Sequence, residues 1–221
     1  MKRLSFAFTI AVAIFSFSLL HAQKTTFEVK YDIDLSGADI DPMAKMMMKN
    51  ATMDMAFQNE AARVVMNMGL GGTTTVIADD ASKEGVILLN MMGMKYAMLM
   101  EEGDFEDAKE NSGKMDFRKT GETKEIAGYA CQHAIGKDDQ GNEFDFWYTD
   151  LLKPKNMGTG YNFDGINGFP LEMEMMQDGM RMKMKAKSVS TDALSADLFD
   201  PAVPKGYKVR TKEEMMKMGG R

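Results

Sequence analysis

Alternating apolar and polar residues recur along most of this chain and predict β-strands. The first clear segment is 27–35 (FEVKYDIDL), in which every second residue is apolar. A strand points successive side chains to opposite faces, so this segment predicts one buried and one solvated face. Further segments of this kind predict four or five strands within 52–100, and others near 124–126, 129–136, 143–149 and 169–188. We therefore expect a mainly β protein with an antiparallel sheet.

Three other segments lack the strand pattern. Asp41 followed by Pro42 is typical of a helix start, and predicts a short helix through about Lys49. Segment 101–116 is acidic and poor in large apolar residues, which predicts a mobile solvated loop. Segment 209–221 is expected to be a flexible carboxy-terminal tail.

Methionine and aromatic residues occupy one side of several predicted strands. Because methionine is flexible and polarizable, such a side is suited to apolar ligands of variable shape. Two alternatives stay open: methionine replaces leucine or isoleucine in an ordinary core, or the thioethers bind reduced copper. The predicted ligand-binding residues are Met53, Met55, Phe57, Met66, Met68, Tyr96, Met98, Met100, Met173, Met175, Met182 and Met184.

The last predicted hairpin has a register that can be derived from its sequence. Residues 178–179 are Asp-Gly, a strong signal for a two-residue turn with positive φ at both positions. That turn places Met175 opposite Met182 on one face, and Glu174 opposite Lys183 on the other. Both faces favour the same register, since a slip of one residue would exchange apolar and charged side chains.

The amino-terminal residues have the pattern of a secretory signal peptide. Lys2 and Arg3 precede an apolar run over 6–20, and Ala22 marks the expected cleavage site. The run is shorter than the roughly twenty residues that span a bilayer. We expect export to the periplasm or the cell exterior, followed by a single domain over 23–208 with no membrane span.

Charge excludes one class of partner. Residues 1–22 contain two of the 27 basic residues and none of the 33 acidic ones, so the processed chain carries a net charge of about −8. An acidic chain without a basic block repels phosphate backbones, so nucleic acid is not an expected partner.

The sequence contains no recognisable catalytic or cofactor motif. His133 is the one histidine outside the predicted signal peptide, and it lies two residues after Cys131, the one cysteine. Two such residues on a strand share a face, but zinc requires three or four ligands. We interpret them as part of a half-buried strand face, with Cys131 an inert buried thiol. We expect no enzymatic activity and no cofactor.

Four short motifs resemble a known family. They are 126–131 (IAGYAC), 145–149 (DFWYT), 168–171 (GFPL) and the ending from Leu198-Phe199 to 204–207 (PKGY). In this order they resemble the exported bacterial proteins of domain of unknown function 4412, which are similar to the LolA and LolB lipoprotein carrier and receptor fold. The resemblance implies a half-barrel: a curved antiparallel sheet with one or two short helices covering or plugging an apolar concave face. It implies an acyl chain or another hydrophobic partner, and no catalytic residues.

The sequence thus predicts an exported, non-catalytic protein that binds a lipid or another hydrophobic small molecule on a methionine-rich concave face. An envelope protein is a possible further partner. Two other functions remain open: a copper-handling or envelope-stress binding protein, and a structural or interaction protein with a methionine-rich core.

Overall fold

The computed structural model describes residues 23–36, 42–111, 115–156, 163, 165–177 and 180–219. The predicted signal peptide, residues 1–22, and the predicted hairpin turn, residues 178–179, lie outside the described residues.

One sheet contains the twelve strands found in the described part of the chain. The strands are β1 (Phe27–Ser36), β2 (Thr52–Gln58), β3 (Ala61–Asn67), β4 (Thr73–Asp79), β5 (Glu84–Met91), β6 (Met94–Met100), β7 (Asp116–Ile126), β8 (Tyr129–Lys137), β9 (Glu143–Thr149), β10 (Phe169–Gln177), β11 (Met180–Ser190) and β12 (Lys208–Val209). Their order across the sheet is β12-β6-β5-β4-β3-β2-β1-β11-β10-β9-β8-β7. Neighbouring strands are antiparallel, except that β12 pairs parallel with β6. The predicted mainly β fold with an open, curved antiparallel sheet is confirmed.

Three short α-helices lie within the described residues: α1 (Pro42–Met47), α2 (Glu102–Asn111) and α3 (Lys212–Gly219). Two 3-10 helices, Gly69–Gly71 and Ala196–Phe199, lie in connections. Helix α1 starts at the proline where the sequence predicted a helix.

The prediction of a solvated loop over 101–116 was wrong, because α2 occupies most of this segment. Phe105 is buried against Met100 and Ala78, so one aromatic residue anchors an otherwise polar helix. The side chain of Asp104 accepts the backbone N–H of Glu101 at 2.9 Å, which satisfies a donor at the helix start. A strand then starts at Asp116, and residues 112–114 lie outside the described residues.

The prediction of a flexible tail over 209–221 was also wrong for its described part, where β12 ends and α3 follows. Thr211 and Glu214 cap α3 reciprocally: each accepts the backbone N–H of the other through its side chain, at 3.2 and 3.0 Å. Lys212 forms ion pairs with Asp104 at 3.0 Å and Asp107 at 3.3 Å, and so connects α3 to α2. Residues 220–221 lie outside the described residues.

The predicted register of the β10–β11 hairpin is confirmed. Met175 pairs with Met182, and Glu174 pairs with Lys183. The same ladder pairs Met173 with Met184, and Glu172 with Lys185.

Side chains from strands that are not neighbours meet on one side of the sheet. Phe27 on β1 and Phe169 on β10 have ring centroids 5.0 Å apart, although β11 lies between their strands. The hydroxyl of Tyr31 donates to the carbonyl oxygen of Pro170 at 2.7 Å across the same gap. Neighbouring strands are about 4.8 Å apart, so these contacts require the sheet to curve toward this side. The side is therefore concave, and it contains the main core.

The carboxy-terminal segment packs on the other, outer side of β2 to β6. Val203 and Tyr207 pack against a cluster consisting of Ile77, Val86, Leu88 and Ala97. Leu194, Leu198 and Phe199 pack nearby against Ala56 and Ala61. These strands consequently have apolar residues on both sides, which explains the continuous apolar run of β5.

Candidate hydrophobic binding face

Strand pairing places the predicted ligand-binding residues, except Met68, on the concave side of the sheet. Directly opposed residues of an antiparallel ladder point to the same side. We call this side the methionine face. It is defined by the cross-strand pairs Tyr31–Met53, Met53–Met66, Met55–Val64, Phe27–Phe57, Ile87–Met98, Leu89–Tyr96, Gly85–Met100, Leu35–Met182, Ile33–Met184, Met173–Met184 and Met175–Met182. Met68 follows the end of β3 and has no ladder position of its own.

Burial divides these residues into two groups. The first group is fully covered and belongs to the main core or to the small cluster beneath α2. It consists of Met53, Met55, Phe57, Met100, Met173, Met182 and Met184. For these residues, methionine serves as apolar core, a role in which its flexible side chain fills irregular gaps.

The second group is half-buried and lies mainly on β3 to β6. Its members among the predicted residues are Met66, Met68, Tyr96, Met98 and Met175. The sequence cannot separate the two groups, because alternation along a strand gives the side of the sheet and not the depth of covering.

On β4 and β5 the structure adds apolar residues that were missing from the predicted set. Val76, Ile87 and Leu89 are half-buried and lie on the methionine face, through the pairs Val64–Val76, Val76–Ile87 and Leu89–Tyr96. A strand was predicted here, and the alternation of Val76 with Ala78 along it could have added Val76 to the set. We use the name open section for Met66, Val76, Ile87, Leu89, Tyr96 and Met98.

Helix α2 closes one end of the open section. Phe105 covers Met100 and Ala78, and Val76 and Ile87 pack partly against this cluster. At the opposite end, near α1, a small cavity of about 160 Å³ is lined by Ile33, Asp34, Leu35, Lys45, Met48 and Lys49. Drug-sized ligands occupy pockets of about 300 to 1,000 Å³, so this cavity alone is too small for one.

A separate cavity of about 560 Å³ lies where the start of α3 faces β6 and α2. Its lining is mainly charged, with Glu101, Asp104, Arg210, Lys212 and Glu214 among its residues. Such a lining does not suit an apolar ligand.

The outer side of the β7 to β11 region is charged and internally paired. Buried Glu172 lies 2.9 Å from Lys124, 3.0 Å from Lys183 and 3.9 Å from Lys185. Burial raises the pKa of Glu172, but hydrogen bonds from Lys124 and Lys183 outweigh burial and hold the pKa below its usual value. This carboxylate therefore has a structural role and connects β7, β10 and β11.

His133 lies in a hydrogen-bonded row on the same outer side. Its Nδ1 is 3.0 Å from the hydroxyl of Thr120, and its Nε2 is 2.8 Å from a carboxylate oxygen of Asp145. The imidazole also stacks on Trp147, with ring centroids 4.4 Å apart. The Thr120 hydroxyl accepts the backbone N–H of Glu122, so it is engaged within its own strand. The row connects β7, β8 and β9.

Cys131 and His133 do not form part of a metal site in the described residues. No group of three or more histidine, cysteine, aspartate or glutamate side chains is close enough there to hold a metal ion. Burial raises the pKa of Cys131 to about 11, which keeps the thiol protonated and unreactive at neutral pH.

The helices in the described ranges are too short or too polar to span a bilayer.

Similarity to solved structures is distant. A crystal structure of MucB matches at 13% identity over 82% of this chain and 59% of that one, with a TM-score of 0.43. This chain thus spans less than two thirds of the MucB structure. An uncharacterized conserved protein from Thermus thermophilus matches at 11% identity over 86% of this chain and 91% of that one, with a TM-score of 0.48. A LolA superfamily protein from Nitrosomonas europaea matches at 12% identity over 80% and 90% of the two chains, with a TM-score of 0.25.

A comparison with curated proteins finds no match. In contrast, a family model described as Domain of unknown function (DUF4412) matches residues 41–207, which is most of the chain. This match confirms the resemblance carried by the four short motifs. The chain belongs to the DUF4412 family.

Proposed function

We propose that this protein is a non-catalytic binding protein that holds a hydrophobic ligand, a lipid or an acyl chain, against the open section of the methionine face. One observation carries the proposal: six large apolar side chains form a contiguous, half-buried surface on the concave side of the sheet. Apolar surface of this kind, when it is not fully covered, is typical of ligand-binding grooves.

The arrangement of the sheet supports a ligand on this side. On the outer side of the same strands, Val203 and Tyr207 already pack against Ile77, Val86, Leu88 and Ala97, although Leu99 stays 54% exposed there. The concave side brings ligand atoms into contact with several strands at once. A flexible acyl chain suits the methionine and isoleucine side chains, because Met66 and Met98 can change rotamer to follow it.

The ligand contacts that we propose combine three residues predicted from the sequence, Met66, Tyr96 and Met98, with Val76, Ile87 and Leu89. Met68 and Met175 are also half-buried, but they lie outside the open section. The fully buried methionines form the wall behind the proposed contacts and would contact a ligand only after a large rearrangement.

The cellular location is part of the proposal. The predicted signal peptide favours export to the periplasm, where lipids and lipidated proteins would be available. An envelope protein partner remains a prediction from the sequence.

Two experiments separate this function from its alternatives. Native mass spectrometry of the protein purified from its own cell envelope distinguishes a bound lipid, a bound copper ion and neither. A lipid mass supports the proposal. A copper mass would favour the thioether metal site, and a bare protein that also binds no added fatty acid would favour a purely structural core.

A matched pair of variants tests the location of the site. Met98→Lys places a charge in the open section and should abolish binding of a fluorescent fatty acid. Met176→Lys makes the same change at an exposed methionine on β10, outside the open section, and should leave binding unchanged. Equal loss in both variants, or none in either, would contradict the proposed site.

A further inference from the structure

Large apolar side chains are exposed at one end of the sheet. Met92 is 90% exposed and Leu70 is 70% exposed, values typical of charged surface residues. They come from three segments: α1, the 3-10 helix Gly69–Gly71, and the turn between β5 and β6. We call this cluster the methionine tip, and define it as Met43, Met46, Met47, Leu70, Met91, Met92 and Met94.

The three segments are held together by close backbone contacts. Gly69 has φ of +59°, and a Cβ atom there would lie 2.6 Å from the carbonyl oxygen of Lys49 after α1. Gly72 has φ of +107°, and a Cβ atom there would lie 3.0 Å from the Cα of Met91. Both positions require glycine, because a side chain would be strained and would separate the segments.

Met92 occupies a backbone conformation that its residue type disfavours. Its φ is +51°, and Gly93 follows with φ of +83°. Two-residue hairpin turns of this type usually have asparagine, aspartate or glycine first. Among the described residues, packing does not account for a methionine here, since Met92 is 90% exposed. An unfavourable residue retained at an exposed turn points to a function for its side chain.

The charges near the methionine tip differ from those of the chain as a whole. In the described segments 42–50, 67–73 and 90–95 the charged residues are Lys45, Lys49 and Lys95. Asp34 lines the small cavity together with Lys45 and Lys49. Asp39 and Asp41 lie outside the described residues. The full chain, by contrast, has a net charge of −6.

The methionine tip continues into the open section. The hydroxyl of Tyr96 is 3.7 Å from the sulfur of Met94, so a residue of the open section contacts the methionine tip directly. Leu89 pairs with Tyr96 next to it. An apolar surface therefore runs from the concave side of the sheet to its exposed end.

We propose that the methionine tip docks on a lipid bilayer, with Met92 and Leu70 inserted at the boundary between headgroups and acyl chains and with the lysines near the headgroups. Projecting apolar side chains on separate turns, flanked by lysine, suit a fluid interface that closes around each of them. A rigid protein partner would need a matching pocket for each turn. This inference rests on the proposed function, since a lipid ligand would then reach the open section directly from the membrane.

Vesicle binding tests the docking surface. Protein purified from the cells that export it, with its amino terminus determined by mass spectrometry, is sedimented with phosphatidylcholine vesicles that contain or lack phosphatidylglycerol. We expect binding to both, stronger with the anionic lipid. The double variant Leu70→Asn/Met92→Asn should lower the partition coefficient about tenfold. Asparagine is favoured in the turn at position 92, so loss of folding would not explain the result.

Met176→Asn is the matched control, because Met176 is 45% exposed on a different part of the sheet. It should bind vesicles as the unsubstituted protein does. The absence of vesicle binding, or an equal loss in control and double variant, would overturn the proposal. So would self-association that the double variant abolishes, since the methionine tip would then bind a second copy. Fatty-acid binding in vesicle-free solution should be unchanged in the double variant, which separates failure of docking from failure of the proposed ligand site.

Discussion

Phe57 on β2 and Phe169 on β10 pack edge to face, with ring centroids 5.3 Å apart, although β1 and β11 lie between their strands. A flat sheet would separate these strands by about 14 Å. The contact therefore requires the sheet to curve, and this curvature makes one side of the sheet concave.

Removing Phe169 should destabilise the whole domain. Phe169→Ala deletes a fully buried ring that contacts both Phe27 and Phe57, and should lower the free energy of unfolding by about 3 to 5 kcal/mol. Urea unfolding followed by tryptophan fluorescence measures this change. A loss below about 1 kcal/mol would show that the curved sheet does not depend on this cluster.

Methionines in the core and in the open section should respond differently to the same substitution. Met173→Ala removes a fully buried side chain and should cost about 2 to 5 kcal/mol of stability. Met98→Ala removes a half-buried side chain, so it should cost less and instead weaken fatty-acid binding. If Met98→Ala costs as much as Met173→Ala and binding is unchanged, the open section is ordinary core.

The sequence predicted pairing well where two independent patterns agree. In the β10–β11 hairpin, methionine pairs on one face and Glu174–Lys183 on the other allow a single register, and the structure has it. The prediction of a loop over 101–116 was wrong because residues that stabilise α2 are distant from it in sequence. Phe105 packs against Ala78 on β4, and Lys212 contacts Asp104 from more than one hundred residues away.

The division of the methionine face into core and open section could not be predicted either. Met53 and Met66 have the same local pattern and pair directly across strands. Met53 is nevertheless fully buried and Met66 is not, because β2 lies at the centre of the curved sheet and β3 lies nearer its edge. Curvature comes from contacts such as Phe57–Phe169, which alternation along a strand does not encode.

Acid should weaken the protein partly through Glu172. Its pKa is lower in the folded protein than its ordinary value of 4.5. A carboxyl group whose pKa is lower in the folded state stabilises the protein at pH values above its pKa in the unfolded state. This stability is lost as the pH falls through the pKa of the folded state. Unfolding free energy should therefore decrease below about pH 5, and less steeply in Glu172→Gln. Parallel pH profiles for the two proteins would exclude Glu172 as a contributor.

Cys131 should be chemically silent in the folded protein. The thiol is buried and its pKa is raised to about 11, so little thiolate exists at pH 8. Ellman's reagent at pH 8 should react with it only after urea unfolds the chain. Rapid reaction in native buffer would show that this part of β8 opens readily.

Photo-crosslinking tests directly whether a fatty acid binds at the open section of the methionine face. A fatty acid with a diazirine in its acyl chain is bound to the protein and irradiated, and the labelled residues are identified by peptide mass spectrometry. If the acyl chain lies on the open section, labels should appear at Met66, Val76, Ile87, Leu89, Tyr96 or Met98, and unlabelled fatty acid should remove them by competition. Competable labels confined to the outer side of the sheet, or none above background, would contradict it.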